Sequence, residues 1–540
     1  MFRSPYPDVI VPEQPFSDYV FEHVSQWGGA PAFIDGPSGR TLTFAEVADG
    51  ARQVASSLAR RGVRKGDVFA MYCPNLPEYA VAVHGVELLG GIVTSANPLY
   101  TADELAYQLH DAGATHVLTV PSSLDKAKEA AARTRVRELF VVGEAPGATP
   151  FAALLQGHRD LPEVHIDPRQ DVALLPYSSG TVGKPKGVVL THYNLTALLQ
   201  QIAPLLREHT GHRVLGFLPF FHIFGLQVLM NNTLRHGITC VTMPRFDFEL
   251  FLRFIQDYRI THLYLVPPIA LALAKQPLVD DYDLSSLRYI VSGAAPLDGA
   301  IQRAVAARLH VPVVQGYGMT ETSLAIALTP PDSASVKVGA AGVLIPNLEG
   351  KVVDPATGSE LGAHERGELL VRGPNIMHGY LNNPDATRIT IEPDGWLHTG
   401  DIVSVDDEGY IFVVDRLKEL IKYKGMQVAP AEVEGVLVTH PAIADVAVIG
   451  IPDAEAGEVP KAFVVLKESV RPEAIMQYVA GKVAPHKRVR QIEIVDAIPK
   501  SASGKILRRL LVEREHARRV GEVATRSGEC RPRRGTTLSQ

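Results

Sequence analysis

The residues from Ser178 to Val188, "SSGTVGKPKGV", combine three glycines, two lysines and several small hydroxyl side chains between two apolar runs. Ser178, Ser179, Gly180 and Thr181 offer hydroxyls and unhindered backbone N–H groups, and Gly183 and Gly187 permit tight turns. Lys184 and Lys186 add positive charge. Backbone donors, small hydroxyls and lysines in one loop suit phosphate oxygens. The loop is not a Walker A motif, because the G-x-x-x-x-G-K-[ST] spacing is absent and the "GVVLTH" after it reads as a strand. By itself it fits a solvated hairpin turn equally well, since Gly, Ser and Pro are common in turns.

Four other stretches carry chemistry-bearing residues. "QGYGMTET", Gln315 to Thr322, follows the strand-like "VPVVQ". Glu321 there could hold Mg²⁺ and Thr320 could meet a phosphate oxygen; a capped helix start would use the same Thr-Glu pair. "GWLHTGD" ends in Asp401, which suits either paired ribose hydroxyls or a turn. "DRLKELIKYKG" alternates charge with apolar residues, as solvated faces do. "IPKSASGKILRR" sets Lys505 in a Ser/Gly loop beside Arg508 and Arg509, which alone reads as an exposed basic loop.

Positioning these residues requires strands and helices in alternation. "DVFAMYC" then "LPEYAVAVHGVELLG", "ITCVTM" then "FELFLRFIQDY", and "LRYIVSG" then "LDGAIQRAVAARL" show that pattern. It predicts an α/β fold of parallel sheets covered by helices, with ligands at the carboxyl ends of the strands. After about Glu360, "GELLVRG" and "GYIFVVD" predict a small antiparallel subdomain. A boundary near Asp415 separates an N-terminal domain, 1–414, from a small mobile C-terminal α/β domain, 415–513, and residues 514–540 read as a disordered tail. At 540 residues, several packed units are expected. The net charge of −6 gives no indication of a nucleic-acid partner. Scattered Cys73, Cys240 and Cys530 form neither a disulfide framework nor a metal cluster. The start of the chain does not read as a secretory signal, no run approaches a membrane span, and "TTLSQ" is not an organelle address. A cytoplasmic enzyme is expected.

In order from about Pro15 to Leu511, "SSGTVGKPKGV", "GAAPL", "QGYGMTE", "GWLHTGD", "DRLKELIKYKGMQVAPAEVE" and "ASGKILRR" resemble the AMP-forming adenylating superfamily. That superfamily comprises acyl-CoA synthetases, luciferases and peptide-synthetase adenylation domains, and the wording looks closest to the 4-coumarate–CoA ligase-like branch. The resemblance implies activation of a carboxylic acid by ATP and Mg²⁺ to an acyl-adenylate, then attack by the coenzyme A thiol. Acyl-CoA, AMP and pyrophosphate are the implied products. It implies that Ser178, Ser179, Gly180, Thr181, Val182, Gly183 and Lys186 cover the β- and γ-phosphates. Ala294, Ala295 and Pro296 would flank adenine, with Gln315, Gly316 and Tyr317 beside it and Gly318 and Met319 in the same nucleotide-binding stretch. Thr320 would touch the α-phosphate, Glu321 would bind Mg²⁺, and Asp401 would take the ribose hydroxyls with Arg416 beside it. Lys505 would bridge the α-phosphate and the carboxylate. Lys418 would be a hinge that swaps Lys505 for the "KYKG" segment, with Lys422, Lys424, Gly425 and Gln427 serving the site from the small domain.

The same resemblance sets His222 next to the substrate carboxylate. It lines the acyl pocket with His222, Phe224, Gly293, Gly316, Thr322, Ser323 and Leu324. Plant hydroxycinnamate ligases usually carry tyrosine where Phe224 stands, so an apolar acid is expected: cinnamate-like, another aryl acid, or fatty. The family usually has a second threonine at position 182, so Val182 predicts a weaker grip on pyrophosphate. Alternatives are an adenylating enzyme with another acceptor or anion, such as carrier-protein loading or nitrite activation, and a non-catalytic nucleotide-binding homologue. Retention of Lys505, Glu321, Asp401 and Arg416 speaks against the last.

Overall fold

The computed structural model describes residues 1–156, 160–178, 185–206, 208–331, 336–424, 426–453, 456–501 and 504–528. Two compact units are resolved, Met1–Val413 and Val414–Gln540. The chain passes from one to the other inside the strand Ile411–Arg416.

Two nine-stranded sheets and a five-stranded one form the first unit. In one nine-stranded sheet, Val68–Tyr72 lies between Ile92–Ser95 and Ala114–Thr119, all parallel. Every residue of Val68–Tyr72 is buried, as expected of a strand covered on both faces. The other nine-stranded sheet runs parallel through Val313–Tyr317, Tyr289–Ser292, His262–Leu265, Arg213–Gly216, Thr239–Thr242 and Pro31–Asp35. Its helices begin where the sequence supplies caps. Asp298 accepts two backbone N–H groups at the start of Gly299–Leu309, and Asp247 caps Phe248–Asp257. The α/β expectation therefore holds.

The third sheet is antiparallel and joins Phe2–Arg3, Glu349–Val353, Gly367–Arg372, Leu397–Val405 and Ile411–Arg416. It begins earlier than the expected change near Glu360, because Glu349–Val353 and the N-terminal residues also pair into it. Asp401, which the sequence also allowed in a turn, lies within the strand Leu397–Val405.

In the second unit, Ile443–Asp453 and Gly457–Leu466 pair antiparallel, and Gln491–Ile494 joins the latter in parallel. Pro430–Val438 and Pro472–Ala480 pack on this sheet through Val433, Leu437, Ile475 and Val479. The last helix runs Arg508–Gly528, so the segment expected to be disordered from 514 is helical to Gly528. Leu511 and Glu515 anchor it: both are buried, and Glu515 accepts from the buried Lys461 at 2.6 Å. Residues 529–540 lie outside the described residues.

Candidate active site

Tyr177–Ser178 and Lys186–Thr191 form an antiparallel pair in which Ser178 faces Lys186. The predicted phosphate loop springs from these two ends. Ser179, Gly180, Thr181, Val182 and Gly183 lie outside the described residues. A third strand, Gly379–Tyr380, pairs with Val188 and Val189 and brings Tyr380 alongside. Lys186 Nζ sits 4.8 Å from the centre of the Tyr380 ring. Tyr380 Oη in turn donates to Glu321 Oε1 at 2.8 Å. Sequence reading missed Tyr380. Its signal, the "HGY" before an Asn-Pro turn, is visible only once the strand pairing is known.

Glu321 occupies a single helical turn, Thr320–Thr322, at the end of the strand Val313–Tyr317. The chain then reverses sharply, with Ser323 at φ 56° and Leu324 at φ 142°. Gly318 is required here, because a Cβ on it would lie 1.7 Å from the Leu324 carbonyl oxygen. Asn375 locks the reversal. Fully buried, it donates through Nδ2 to the Thr322 and Ala325 carbonyls, both at 2.9 Å, and its carbonyl accepts Ser323 Oγ at 2.8 Å. The Met377 N–H reaches the Glu321 carbonyl at 2.8 Å. Thr322 and Ser323, expected to line the acyl pocket, are fully buried with their hydroxyls bonded to Met319 O and Asn375 O. Leu324, Met319 and Thr320 are half-buried.

Ala294, in the left-handed region at φ 70°, and Pro296 are exposed, with Ala295 half-buried between them. Gln315 ties this loop to its own strand: its side chain accepts the Leu297 N–H at 2.9 Å and donates to the Leu297 carbonyl at 3.1 Å. This pair of hydrogen bonds fastens the end of the Ala294–Pro296 loop to the strand that carries Gly316 and Tyr317. Tyr317 Oη donates to Asp401 Oδ2 at 2.7 Å, and Asp401 is buried. A hydrogen bond therefore links the end of the adenine-side strand Val313–Tyr317 to the ribose-side candidate Asp401 in the antiparallel sheet.

His222 Nδ1 accepts the Phe224 N–H at 3.2 Å, which leaves the proton of the neutral ring on Nε2. Phe224 packs edge-on against Tyr264, ring centres 6.4 Å apart. Its ring also lies 2.9 Å from where a Gly293 Cβ would stand, so glycine is needed there.

The second unit holds the remaining candidates. Lys418 is exposed in a turn closed by the Glu419 N–H on the Arg416 carbonyl at 2.9 Å, and Arg416 is half-buried. Lys422 is exposed and its backbone pairs with Gln427. Lys424 is exposed at φ 47°, with its N–H on the Ala456 carbonyl at 2.7 Å. Gly425 lies outside the described residues. Lys505 is held by Ser501 on both sides: the Ser501 N–H donates to the Lys505 carbonyl at 2.8 Å, and the Lys505 N–H donates to Ser501 Oγ at 3.1 Å. Arg508 is not part of an exposed basic loop. It pairs with Glu419 and Glu434, both at 2.6 Å, and those carboxylates hold its guanidinium well above the ordinary range despite burial. It thereby joins the Lys505 segment to the turn that carries Lys418.

Among the described residues no group of three or more His, Cys, Asp or Glu side chains could enclose a metal. Mg²⁺ is commonly held by one or two carboxylates together with substrate phosphates. Glu321, buried and oriented by Tyr380, fits that role.

Residues 20–381 match the AMP-binding enzyme family and residues 432–505 the AMP-binding enzyme C-terminal domain. The chain belongs to the AMP-binding enzyme family. It is 44% identical over 522 residues to 4-coumarate–CoA ligase 2 of Petroselinum crispum, covering 94% of this chain and 96% of that one. Against 4-coumarate–CoA ligase of Vanilla planifolia it is 42% identical, with 94% and 95% covered. Among solved structures, an anthranilate CoA ligase in complex with anthranoyl-AMP superposes with a TM-score of 0.86 at 30% identity, covering 94% and 98% of the two chains. A benzoate CoA ligase from Burkholderia xenovorans gives 0.83 at 27%, covering 92% and 99%. The activity is that of an AMP-forming acid–CoA ligase, which activates an organic acid with ATP and forms a thioester with coenzyme A, using Mg²⁺. Among the described residues no helix is long and apolar enough to cross a membrane.

Proposed function

We propose that both half-reactions of the ligase run at the carboxyl end of the strand Val313–Tyr317, with the second unit exchanging its contribution between them. The carrying observation is the linked series Lys186–Tyr380–Glu321, which brings a phosphate-loop cation and a metal carboxylate to one place. Two anions, a carboxylate and a triphosphate, must meet there, and fixed cations together with Mg²⁺ offset their repulsion. Ser178 and Lys186 hold the outer phosphates, Thr320 the α-phosphate and Glu321 the Mg²⁺. Ala294–Pro296 and Gln315–Met319 frame the adenine, and Asp401 with Arg416 takes the ribose hydroxyls. His222 orients the acid, and Phe224 and Gly293 shape its pocket.

Lys505 supplies charge for adenylation only. A turn of the 415–513 domain about Lys418 then withdraws it and presents Lys422, Lys424 and Gln427 for thioester formation. The exposure of Lys418 in a short turn directly after the unit boundary supports this hinge. The substrate is an aryl or cinnamate-like acid, as the activities of the relatives suggest, and the scattered cysteines fit a cytoplasmic setting. ATP–pyrophosphate exchange across a panel of acids, followed by assay of CoA thioesters, tests the reading. Exchange and thioester with the same acid are expected; exchange without thioester contradicts the ligase assignment.

A further inference from the structure

The helix Ala102–Asp111 carries none of the motifs, yet it is bonded to both strands from which the phosphate loop springs. A capping box fixes its start: Thr101 Oγ1 accepts the Glu104 N–H at 3.3 Å, and Glu104 Oε2 accepts the Thr101 N–H at 2.8 Å. The buried Gln108 fixes its inner face, donating through Nε2 to Thr94 Oγ1 at 2.9 Å and to the Ser95 carbonyl at 3.1 Å. Leu105 and Leu109 are fully buried on the same side. The helix is thereby pinned to the strand Ile92–Ser95. Tyr107 and Asp111, four positions apart and half-buried, share a different face.

Three bonds join these two residues to the site. Tyr107 Oη donates to the carbonyl of Pro185, the residue before Lys186, at 3.1 Å. Tyr177, the residue before Ser178, donates through Oη to Asp111 Oδ2 at 2.7 Å. Asn382, two residues after Tyr380, donates through Nδ2 to the Asp111 carbonyl at 3.0 Å. The Tyr177 ring lies against Gly187, its partner in the strand pair, where a Cβ would stand 3.2 Å from it. Burial, and then the bond to Asp111, hold the Tyr177 hydroxyl far above its usual range, so it remains a donor. The neighbours of Ser178, Lys186 and Tyr380 are thus all tied to one pinned helix.

We propose that Tyr107 and Asp111 are positioning residues for ATP, setting where Ser178 and Lys186 stand and so how tightly the outer phosphates are held. The inference rests on the assignment of Ser178 and Lys186 to those phosphates. Ser178 and Lys186 face each other in the strand pair, and each adjoins a residue fastened to the helix. Losing either fastening lets one strand end shift while the other stays. Interactions with a bound anion are sensitive to such shifts, because a group misplaced by about 1 Å forfeits much of its contribution. The acid and coenzyme A are bound by other residues, so the effect belongs to ATP alone.

The test measures KM for ATP, for the acid and for coenzyme A, together with inhibition by inorganic pyrophosphate, in variants of the full chain. Tyr107→Phe and Tyr177→Phe should each raise KM for ATP and the pyrophosphate inhibition constant by about fivefold, the worth of one ordinary hydrogen bond. Asp111→Ala should raise both by about tenfold. KM for the acid and for coenzyme A should stay within about twofold. Asp111→Asn, whose amide oxygen still accepts from Tyr177, should recover most of the loss. Tyr177→Phe combined with Asp111→Ala should be no worse than Asp111→Ala alone, since the two share one bond. If Asp111→Ala does not fold, as judged by circular dichroism, the two Tyr→Phe variants carry the test. Lys186→Ala is the reference and should raise KM for ATP at least about tenfold. A normal KM for ATP in the folded Tyr→Phe variants, or an equal rise for all three substrates, overturns this inference alone when Lys186→Ala behaves as expected. A normal KM for ATP in Lys186→Ala overturns the phosphate assignment and this inference with it.

Discussion

Tyr380 touches two residues that the sequence motifs single out, and it does so with two different parts of its side chain. The hydroxyl fixes Glu321, while the ring face lies under Lys186. Tyr380→Phe separates these roles, since it keeps the ring and removes the donor. A hydrogen bond to a charged group contributes about 1.5–3 kcal/mol. The Mg²⁺ concentration for half-maximal activity should therefore rise about tenfold or more, and Mn²⁺ affinity, read directly by electron paramagnetic resonance, should fall in parallel. Unchanged Mn²⁺ affinity would show that Glu321 does not depend on this bond. Lys186, Glu321, Asp401 and Lys505 were legible as candidates because their residue types, within quotable motifs, suit phosphate, metal and ribose chemistry. Tyr380, Asn375 and Arg508 were not. Each acts through partners 50 or more positions away, a distance over which periodicity and turn chemistry carry no information.

Elements position these residues through a few buried polar fastenings. Asn375 closes the reversal after Glu321 with two donated bonds. Asn375→Ala strips the Thr322 and Ala325 carbonyls of their donor, and each buried unsatisfied group costs about 1–3 kcal/mol. Chemical denaturation should show a loss of at least about 2 kcal/mol. Asn375→Asp should lose nearly as much, because an aspartate cannot donate both bonds. At the amino-terminal ends of the strands Arg213–Gly216 and His262–Leu265, His212 is pushed down to about 4 and His262 to about 3, chiefly by burial and then by neighbouring cations. Their unfolded counterparts take up protons near pH 6.5, while the folded rings refuse them. Stability is thus fully present above 6.5 and is lost as pH falls toward 4. Glu208, raised to about 7, works in the other direction and loses stability as pH rises from 4.5. Two histidines outweigh one carboxyl, so Tm should fall from pH 7 to 5. His262→Asn should flatten that slope; a slope unaltered by the substitution would contradict the assignment. The strand–helix alternation was readable from apolar runs. The earlier start of the antiparallel sheet was not, since Phe2–Arg3 pairs with residues far along the chain.

At the scale of the molecule, one chain carries two compact units, and the proposed reading has their residues act in sequence. Arg508 gives the second unit internal rigidity, bracing the Lys505 segment against the Lys418 turn. The helix Arg508–Gly528 extends that bracing through Leu511 and Glu515, although composition alone suggested disorder. A unit braced in this way suits the proposed movement as a body that exchanges one lysine for another between adenylation and thiolysis. The most direct measurement is Lys505→Ala assayed separately in the two half-reactions. Pyrophosphate exchange should fall by about 100-fold or more, as expected for removal of a charge that stabilises the transition state. Thioester formation from supplied acyl-AMP and coenzyme A should stay within about threefold of the unmodified enzyme, since the proposed exchange withdraws Lys505 before that step. An equal loss in both half-reactions would contradict the account.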